Sequence, residues 1–390
     1  MPRPAEKAER MTTSTEQIEC LDRELRFGEH AYPFLVRSGT GALDELSGRL
    51  GALDPDRFVF VFDKGVPPQA RLEVHDRLRE IAPVTVIEVL PGEANKTPES
   101  VTAIMAAALD SGVTRSSCVV CLGGGGVCNI AGDAAGRMLR GGPKLAVLPT
   151  TLLAASDSAA SLKQAVNLGA KNTDGLFKAP ALVLVNLDYL RSLAADEIRS
   201  ALGEAIKNTI AITPSQAPVL RRLLRPDARY TDAEITRLIG MCLDAKQQVL
   251  LRDPHEEGTG LALEYGHTAG HAIELLHGLG HGLAIGVGGL VAARTARIMG
   301  ILPDSLVEDI HEELLTLNGA PVTVPPGLTD EALLSVLRRD NKRGYLKPRP
   351  GHIDMVLLEA PGVPHCTEGR PITQVPEDVL LRAIREREQS

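Results

Sequence analysis

Two histidines, His267 and His271, stand four residues apart in the segment EYGHTAGHAIE, with His281 further on and Glu204 upstream in GEAIKN. Residues four apart share one face of a helix. Catalytic zinc takes about three protein ligands from His and carboxylates and leaves one position open. A histidine pair is by itself as compatible with a packed core as with a metal. Four of the ten histidines, however, fall between residues 267 and 281.

A second grouping is Gly123-Gly124-Gly125-Gly126-Val127-Cys128-Asn129, between an apolar run and a helical pattern. Successive glycines let backbone N–H groups approach a pyrophosphate, and a helix N-terminus adds a positive dipole end. The spacing is not the G-x-G-x-x-G fingerprint, so phosphate binding and a merely tight turn both stay open.

The third grouping is cationic and amide side chains: Lys163, Lys171, Asn172, Lys207, Asn208, Lys246, Asn341, Lys342 and Arg343. Lys207 follows Glu204 by three, which puts both on one helix face. Gathered in a cleft, such lysines would hold a phosphorylated anionic substrate. Dispersed, they are solvated surface charge.

These residues need a scaffold. RFVFVFD (57–63), VTVIEVLP (84–91), SCVVCLGG (117–124), LAVLPTT (145–151) and ALVLVNLD (181–188) read as strands, with helical patterns at 98–112 and 129–142. Continuous apolar strands alternating with helices imply a parallel sheet covered on both faces. From about residue 190 the pattern turns helical, through DEIRSALGEAIKNTIAI, DAEITRLIGMCLDAKQQVLL, GHTAGHAIELL, LAIGVGGLVAARTARIMG and LTDEALLSVLRRDNKRGY. The expected organisation is a disordered extension over 1–15, an α/β nucleotide-binding domain over 16–190 and a mostly helical domain over 191–390. The default ligand site is the cleft between the two domains.

The chain has 390 residues, 44% of them hydrophobic and 24% charged, and a formal net charge of −8. That is ordinary globular composition. Its acidic balance disfavours a nucleic-acid partner. No apolar run approaches the ~18 residues of a membrane span. The polar start MPRPAEKAERMTTSTEQ lacks a signal-peptide core, so the cytoplasm is the expected compartment. Cys118 and Cys121 form a C-x-x-C pair inside an apolar run, where free Cys behaves as a small hydrophobe.

Taken in order, Asp63, PGEANKT (91–97), GGGGVCNIAG (123–132), LPTTLLAASDS (148–158), AKN (170–172), GEAIKN (203–208), EYGHTAGHAIE (264–274), HG (281–282) and DNKRGY (340–345) resemble the dehydroquinate synthase-like sugar phosphate cyclases. The resemblance runs over about residues 20–385. It implies an N-terminal domain that binds NAD and a C-terminal helical domain that binds a divalent metal, zinc or cobalt. It implies Glu204, His267 and His281 as metal ligands, with His277 left open as a rival because the spacing to His281 is short for the family. It further implies catalytic roles for Lys207, Glu264, His271 and Asp157. Lys163, Asn172, Lys246 and Lys342 match substrate positions. Asp63, Glu93, Lys96, Gly124, Gly125, Asn129, Thr150, Thr151 and Lys171 match NAD-contacting positions. Arg140 matches an arginine that reaches a neighbouring subunit's substrate site, so a homodimer is expected.

Within the family, Glu264 stands where dehydroquinate synthases carry Asn, and Gly260 where they carry Arg. Glu264, Asn129, LKQAVN and DNKRGY instead resemble the branch that cyclises D-glucose 6-phosphate to a six-carbon ketone on the way to 2-deoxystreptamine aminoglycosides. A carboxylate repels a carboxylated substrate at close range and accepts hydrogen bonds from neutral sugar hydroxyls. The implied reaction is transient oxidation, phosphate elimination, reduction, ring opening and an intramolecular aldol closure. Dehydroquinate formation and cyclisation of a seven-carbon sugar phosphate are the alternatives.

Overall fold

The computed structural model describes residues 20–386. The disordered extension expected over 1–15 lies outside them. The N-terminal half supplies β1 (Leu21–Phe27), β2 (His30–Arg37), β3 (Phe58–Asp63), β4 (Val84–Val89), β5 (Cys118–Gly123), β6 (Lys144–Pro149), β7 (Lys163–Val166), β8 (Asp174–Phe177) and β9 (Leu182–Asn186). Seven of them form one sheet in the order β1-β2-β9-β6-β5-β3-β4. The five strands read from the sequence are all present. Their parallel pairing is as expected, except that β1 joins β2 as an antiparallel hairpin at the edge.

Alternation along β3 shows why the sheet needs cover on both sides. Phe58, Phe60 and Phe62 enter one core, together with Leu46 and Val74 from two covering helices. Val59 and Val61 enter the other, which continues without a break into the helical half. Period-two side-chain direction forces this division. Cys118 and Cys121 are buried free thiols of β5, as the hydrophobe reading expected.

Five helices position the site: Gly125–Arg137, Ala195–Ala211, Asp232–Leu250, His267–His277 and His281–Ile298. The first starts four residues earlier than its periodicity indicated, because the glycines themselves enter the first turn. The helix expected through DNKRGY stops at Leu337. Asp340 Oδ1 there accepts from the Lys342 backbone N–H at 3.0 Å, and Gly344 adopts φ +97°. Both features close a turn rather than extend a helix. Among the described residues no helix is long and apolar enough to cross a membrane.

Candidate active site

The neighbouring parallel strands β3, β5 and β6 end at Asp63, Gly123 and Pro149. The chain moves outward from β3 to β4 and then returns to β5 on the other side of β3. Such a reversal opens a crevice at the carboxyl ends of the strands. The glycine loop fills it. A Cβ on Gly123 would lie 2.8 Å from Asp63 Oδ2, one on Gly124 3.4 Å from Thr151 Cγ2, and one on Gly125 3.0 Å from Ser158 Oγ. A Cβ on Gly126 would meet nothing within 4 Å, so this last glycine keeps the cavity open above a helix N-terminus. Asn129, one turn along, is buried and its Oδ1 has no hydrogen-bond partner. An orphaned acceptor beside free amide N–H groups fits a dinucleotide.

Beyond this loop the cavity is walled by the helical half. Glu204 lies on Ala195–Ala211 and is 1% exposed. His267 and His281 each open a helix, and their Nε2 atoms lie 3.6 and 3.5 Å from Glu204 Oε1. Ligands ~2.1 Å from a tetrahedral ion stand roughly 3.4 Å apart, so the separations suit one ion. The outer ring nitrogens agree. His267 Nδ1 donates to the Tyr265 carbonyl at 3.3 Å, and His281 Nδ1 to Glu274 Oε2 at 2.9 Å. Both bonds fix the tautomer that leaves Nε2 free for metal. Glu204 Oε1 has no hydrogen-bond donor. His277 is exposed and lies outside this cluster, whereas His281 lies within it.

The lysines do gather, and most arrive already paired. Lys207 Nζ lies 2.6 Å from Glu204 Oε2 and donates to the Leu263 carbonyl at 2.8 Å. Lys246 Nζ meets Asp157 Oδ1 at 2.7 Å. Lys163 Nζ stands 2.6 Å from Glu256 Oε2 and 3.3 Å from Glu264 Oε1. Lys342 Nζ is 3.2 Å from Glu264 Oε2 and 2.9 Å from Asp340 Oδ1. Lys96 Nζ donates to Asn172 Oδ1 at 2.6 Å. Burial alone would raise the Glu264 pKa, but Lys342 and Lys163 outweigh it and hold the group well below the ordinary carboxylate range. Burial drives His267 down to about 4 and His271 well below its ordinary value. His271 therefore stays neutral, and its buried Nε2 has no partner.

Residues 86–200 match the 3-dehydroquinate synthase N-terminal family, and residues 201–343 the 3-dehydroquinate synthase C-terminal family. A 2-deoxy-scyllo-inosose synthase of Micromonospora echinospora is 41% identical over 369 residues, covering 94% of this chain and 92% of its own. The chain belongs to the 2-deoxy-scyllo-inosose synthase branch of the dehydroquinate synthase family. A crystal structure of 2-deoxy-scyllo-inosose synthase complexed with carbaglucose-6-phosphate, NAD+ and Co2+ superposes with TM-score 0.85 at 32% identity, covering 94% of this chain and 100% of that one. A 2-epi-5-epi-valiolone synthase of Streptomyces hygroscopicus subsp. jinggangensis shares the fold, with TM-score 0.73 at 22% identity over 94% of this chain and all of that one.

In this member of the synthase branch, Glu93, Lys96, Gly125, Asn129, Asp157, Lys163, Lys171, Asn172, Lys207, Lys246, Glu264, His267 and His281 all line one cavity. Asp63, Gly124, Thr150 and Thr151 stand behind its glycine wall. Asp63 Oδ1 accepts from the Gly65 N–H at 2.7 Å, and Thr151 Oγ1 caps the helix Leu152–Ser156. Glu204 and Lys342 are 1% exposed each, Glu204 against His267 and His281 and Lys342 against Glu264 and Asp340. Arg140 is exposed in a tight turn past the far end of the glycine-loop helix and does not line this cavity. Sequence reasoning assigned no role to Glu256, Glu274 or Asp340. Glu274 was within reach, since it follows His271 by three on the same helix face. Glu256 carried no local signal.

Proposed function

We propose that the chain converts D-glucose 6-phosphate to 2-deoxy-scyllo-inosose and phosphate, an early step toward 2-deoxystreptamine aminoglycosides. NAD+ is the regenerated cofactor, and zinc or cobalt sits among Glu204, His267 and His281. The observation that carries this reading is the placement of that cluster on the same cavity as Gly125, Gly126 and Asn129. When bound, the cofactor supplies a reversible two-electron acceptor at C4 of the sugar, and the ion a Lewis acid for the oxygen there.

The protein's own residues bind, orient and move protons. Asp63, Glu93, Lys96, Lys171, Thr150 and Thr151 frame the cofactor with the glycine loop. Lys207, Lys246 and Asn172 orient the phosphorylated sugar, with Asp157 holding Lys246 in place. Lys163 and Lys342 keep Glu264 ionised, so that it accepts from sugar hydroxyls and disfavours a carboxylated substrate. His271, neutral and unpartnered at Nε2, is the group suited to carry a proton during phosphate loss. The reaction balances as one hexose phosphate giving one cyclic ketone and one phosphate, with NAD+ unchanged.

We assign residues 16–190 to the cofactor-binding unit and 191–390 to the metal- and substrate-binding unit. Arg140 is exposed and does not line its own cavity, which fits a homodimer in which it completes the neighbour's site. The reduced state of the buried thiols suits a cytoplasmic setting.

The test is a product assay with glucose 6-phosphate, NAD+ and Zn2+ or Co2+. Phosphate release with a six-carbon carbocyclic ketone trapped as its oxime, and no net NADH, is the expected result. Absence of release overturns the reading and directs the assay to heptulose phosphates.

A further inference from the structure

Two carboxylates that line the cavity share one lysine: Lys163 Nζ lies 2.6 Å from Glu256 Oε2 and 3.3 Å from Glu264 Oε1. Both are placed by a side chain that does not itself line the cavity. Asp253 follows the helix Asp232–Leu250 and opens the segment that carries both glutamates. Its Oδ2 accepts from the N–H of Gly258 at 2.7 Å and of Gly260 at 2.8 Å, and its Oδ1 from that of Glu257 at 3.1 Å. Gly260 is the second residue of the short turn Thr259–Glu264, so Oδ2 also holds the start of the turn that ends in Glu264. Glu256 itself has φ +57°, a conformation that a residue with a Cβ keeps only where its surroundings dictate it. Its N–H donates to the Asp253 carbonyl at 3.2 Å, and its own carbonyl accepts from the Tyr345 hydroxyl at 3.3 Å. The segment has no slack: a Cβ on Gly260 would lie 2.9 Å from Asp253 Oδ2 and 3.3 Å from Glu256 Cγ.

We propose that Asp253 is a positioning residue that sets substrate specificity through Glu256. By accepting three backbone N–H groups it keeps the Glu256 carboxylate on Lys163, and the wall so charged admits a sugar phosphate with neutral hydroxyls and turns away one that carries a carboxylate. This rests on the substrate reading given above. The reason is the charge balance. One ammonium facing two carboxylates is negative overall, so a further carboxylate is repelled at close range. Where the segment relaxes, Glu256 leaves the lysine, and Lys163 keeps only Glu264 and becomes free to pair with an incoming anion. Asp253 makes no contact with the substrate in this scheme. It acts only by the backbone it folds.

The experiment is calorimetric titration of NAD+- and Co2+-loaded protein with 6-phosphogluconate and with D-glucitol 6-phosphate, which differ only in a carboxylate against a hydroxymethyl group. Bound cobalt is counted in every variant. Wild type should favour the glucitol phosphate. Glu256→Gln should tighten 6-phosphogluconate roughly fivefold and change the glucitol phosphate little. Asp253→Ala should do the same, and adding it to Glu256→Gln should bring nothing further, because both act at one point. Asp253→Asn keeps one acceptor oxygen and should fall between, whereas an effect of the Asp253 charge alone would make Asn and Ala equal. Gly260→Ala removes no charge, yet should show the tightening, because its Cβ displaces Glu256; it and Asp253→Asn carry the test if Asp253→Ala does not fold. Glu257→Gln, which removes an exposed charge next to Glu256, should leave both affinities at wild type. An unchanged 6-phosphogluconate affinity in Glu256→Gln or in Gly260→Ala overturns the proposal, as do effects of Asp253→Ala and Glu256→Gln that multiply. A wild type that binds neither phosphate overturns this proposal together with the cyclase reading beneath it.

Discussion

Gly203 and Gly282 meet backbone to backbone: a Cβ on Gly203 would lie 1.9 Å from the Gly282 carbonyl oxygen, and one on Gly282 1.7 Å from that of Ser200. Gly203 immediately precedes Glu204, and Gly282 immediately follows His281. A third close approach, 2.1 Å from a Gly288 Cβ to the Gly266 carbonyl, brings up the helix that begins at His267. Three helices thus cross without side chains between them, and this brings a carboxylate and two imidazoles to a common point. Gly203→Ala or Gly282→Ala should force the crossing apart, at a cost of about 1–3 kcal/mol, and most of the bound metal should be lost. Gly48→Ala, where a Cβ meets nothing within 4 Å in an outer helix, should leave metal content intact. Urea denaturation and metal analysis of the three proteins check this.

Glu204 faces His267 and His281 with Oε1 and Lys207 with Oε2, the Lys207 Nζ lying 2.6 Å away on a side chain 2% exposed; as the proposed metal ligand it has two tasks. Glu204→Ala should abolish metal content and turnover together. It should also destabilise by about 3–5 kcal/mol, because a buried ammonium is left uncompensated. Adding Lys207→Met should recover much of the stability and none of the metal. Retained activity in Glu204→Ala would sink the ligand assignment.

Lys163, shared by Glu256 and Glu264, belongs to a cluster in which two lysines face three carboxylates, with Lys342 and Asp340 completing it. Its net charge is negative despite the lysines. Glu256→Gln should therefore make the wall more receptive to an anionic group. Inhibition by 6-phosphogluconate should strengthen roughly fivefold, or about 1 kcal/mol. Competition kinetics against glucose 6-phosphate measure it, and an unchanged inhibition constant would place this wall away from the substrate.

His311 is fully buried and its Nε2 lies 3.0 Å from the Tyr265 hydroxyl. Burial, with Arg294 adding to it, takes its pKa down from 6.5 to about 3. On acidification the unfolded chain takes up this proton first. The contribution is therefore complete above about pH 6.5 and is lost progressively as pH falls toward 3. Its slope reaches at most ~1.4 kcal/mol per pH unit. His311→Phe should flatten the fall in unfolding free energy between pH 7 and pH 5 relative to wild type, as chemical denaturation at the two values will show.

Local pattern determined a great deal in this protein. Apolar runs located β3, β5, β6 and β9, because a strand covered on both faces must be apolar throughout, while β4, a partly exposed edge strand, showed itself by its β-branched residues. The glycine run located the turn from strand to helix that lines the cavity, and the spacings Glu204–Lys207 and His267–His271 located shared helix faces. The edge hairpin Leu21–Arg37 escaped, since Arg, Glu and His interrupt its alternation.

Tertiary structure alone decided which groups meet. It brought His281, and not the exposed His277, beside Glu204 and His267, left Arg140 off the lining of its own cavity, and paired the lysines with Glu256, Glu264, Glu274 and Asp340. Glu204 and His281 are 77 positions apart in the chain, and nothing periodic links them. Their encounter depends on two helices touching at Gly203 and Gly282, and a residue with no side chain announces its partner only once the fold has brought that partner near.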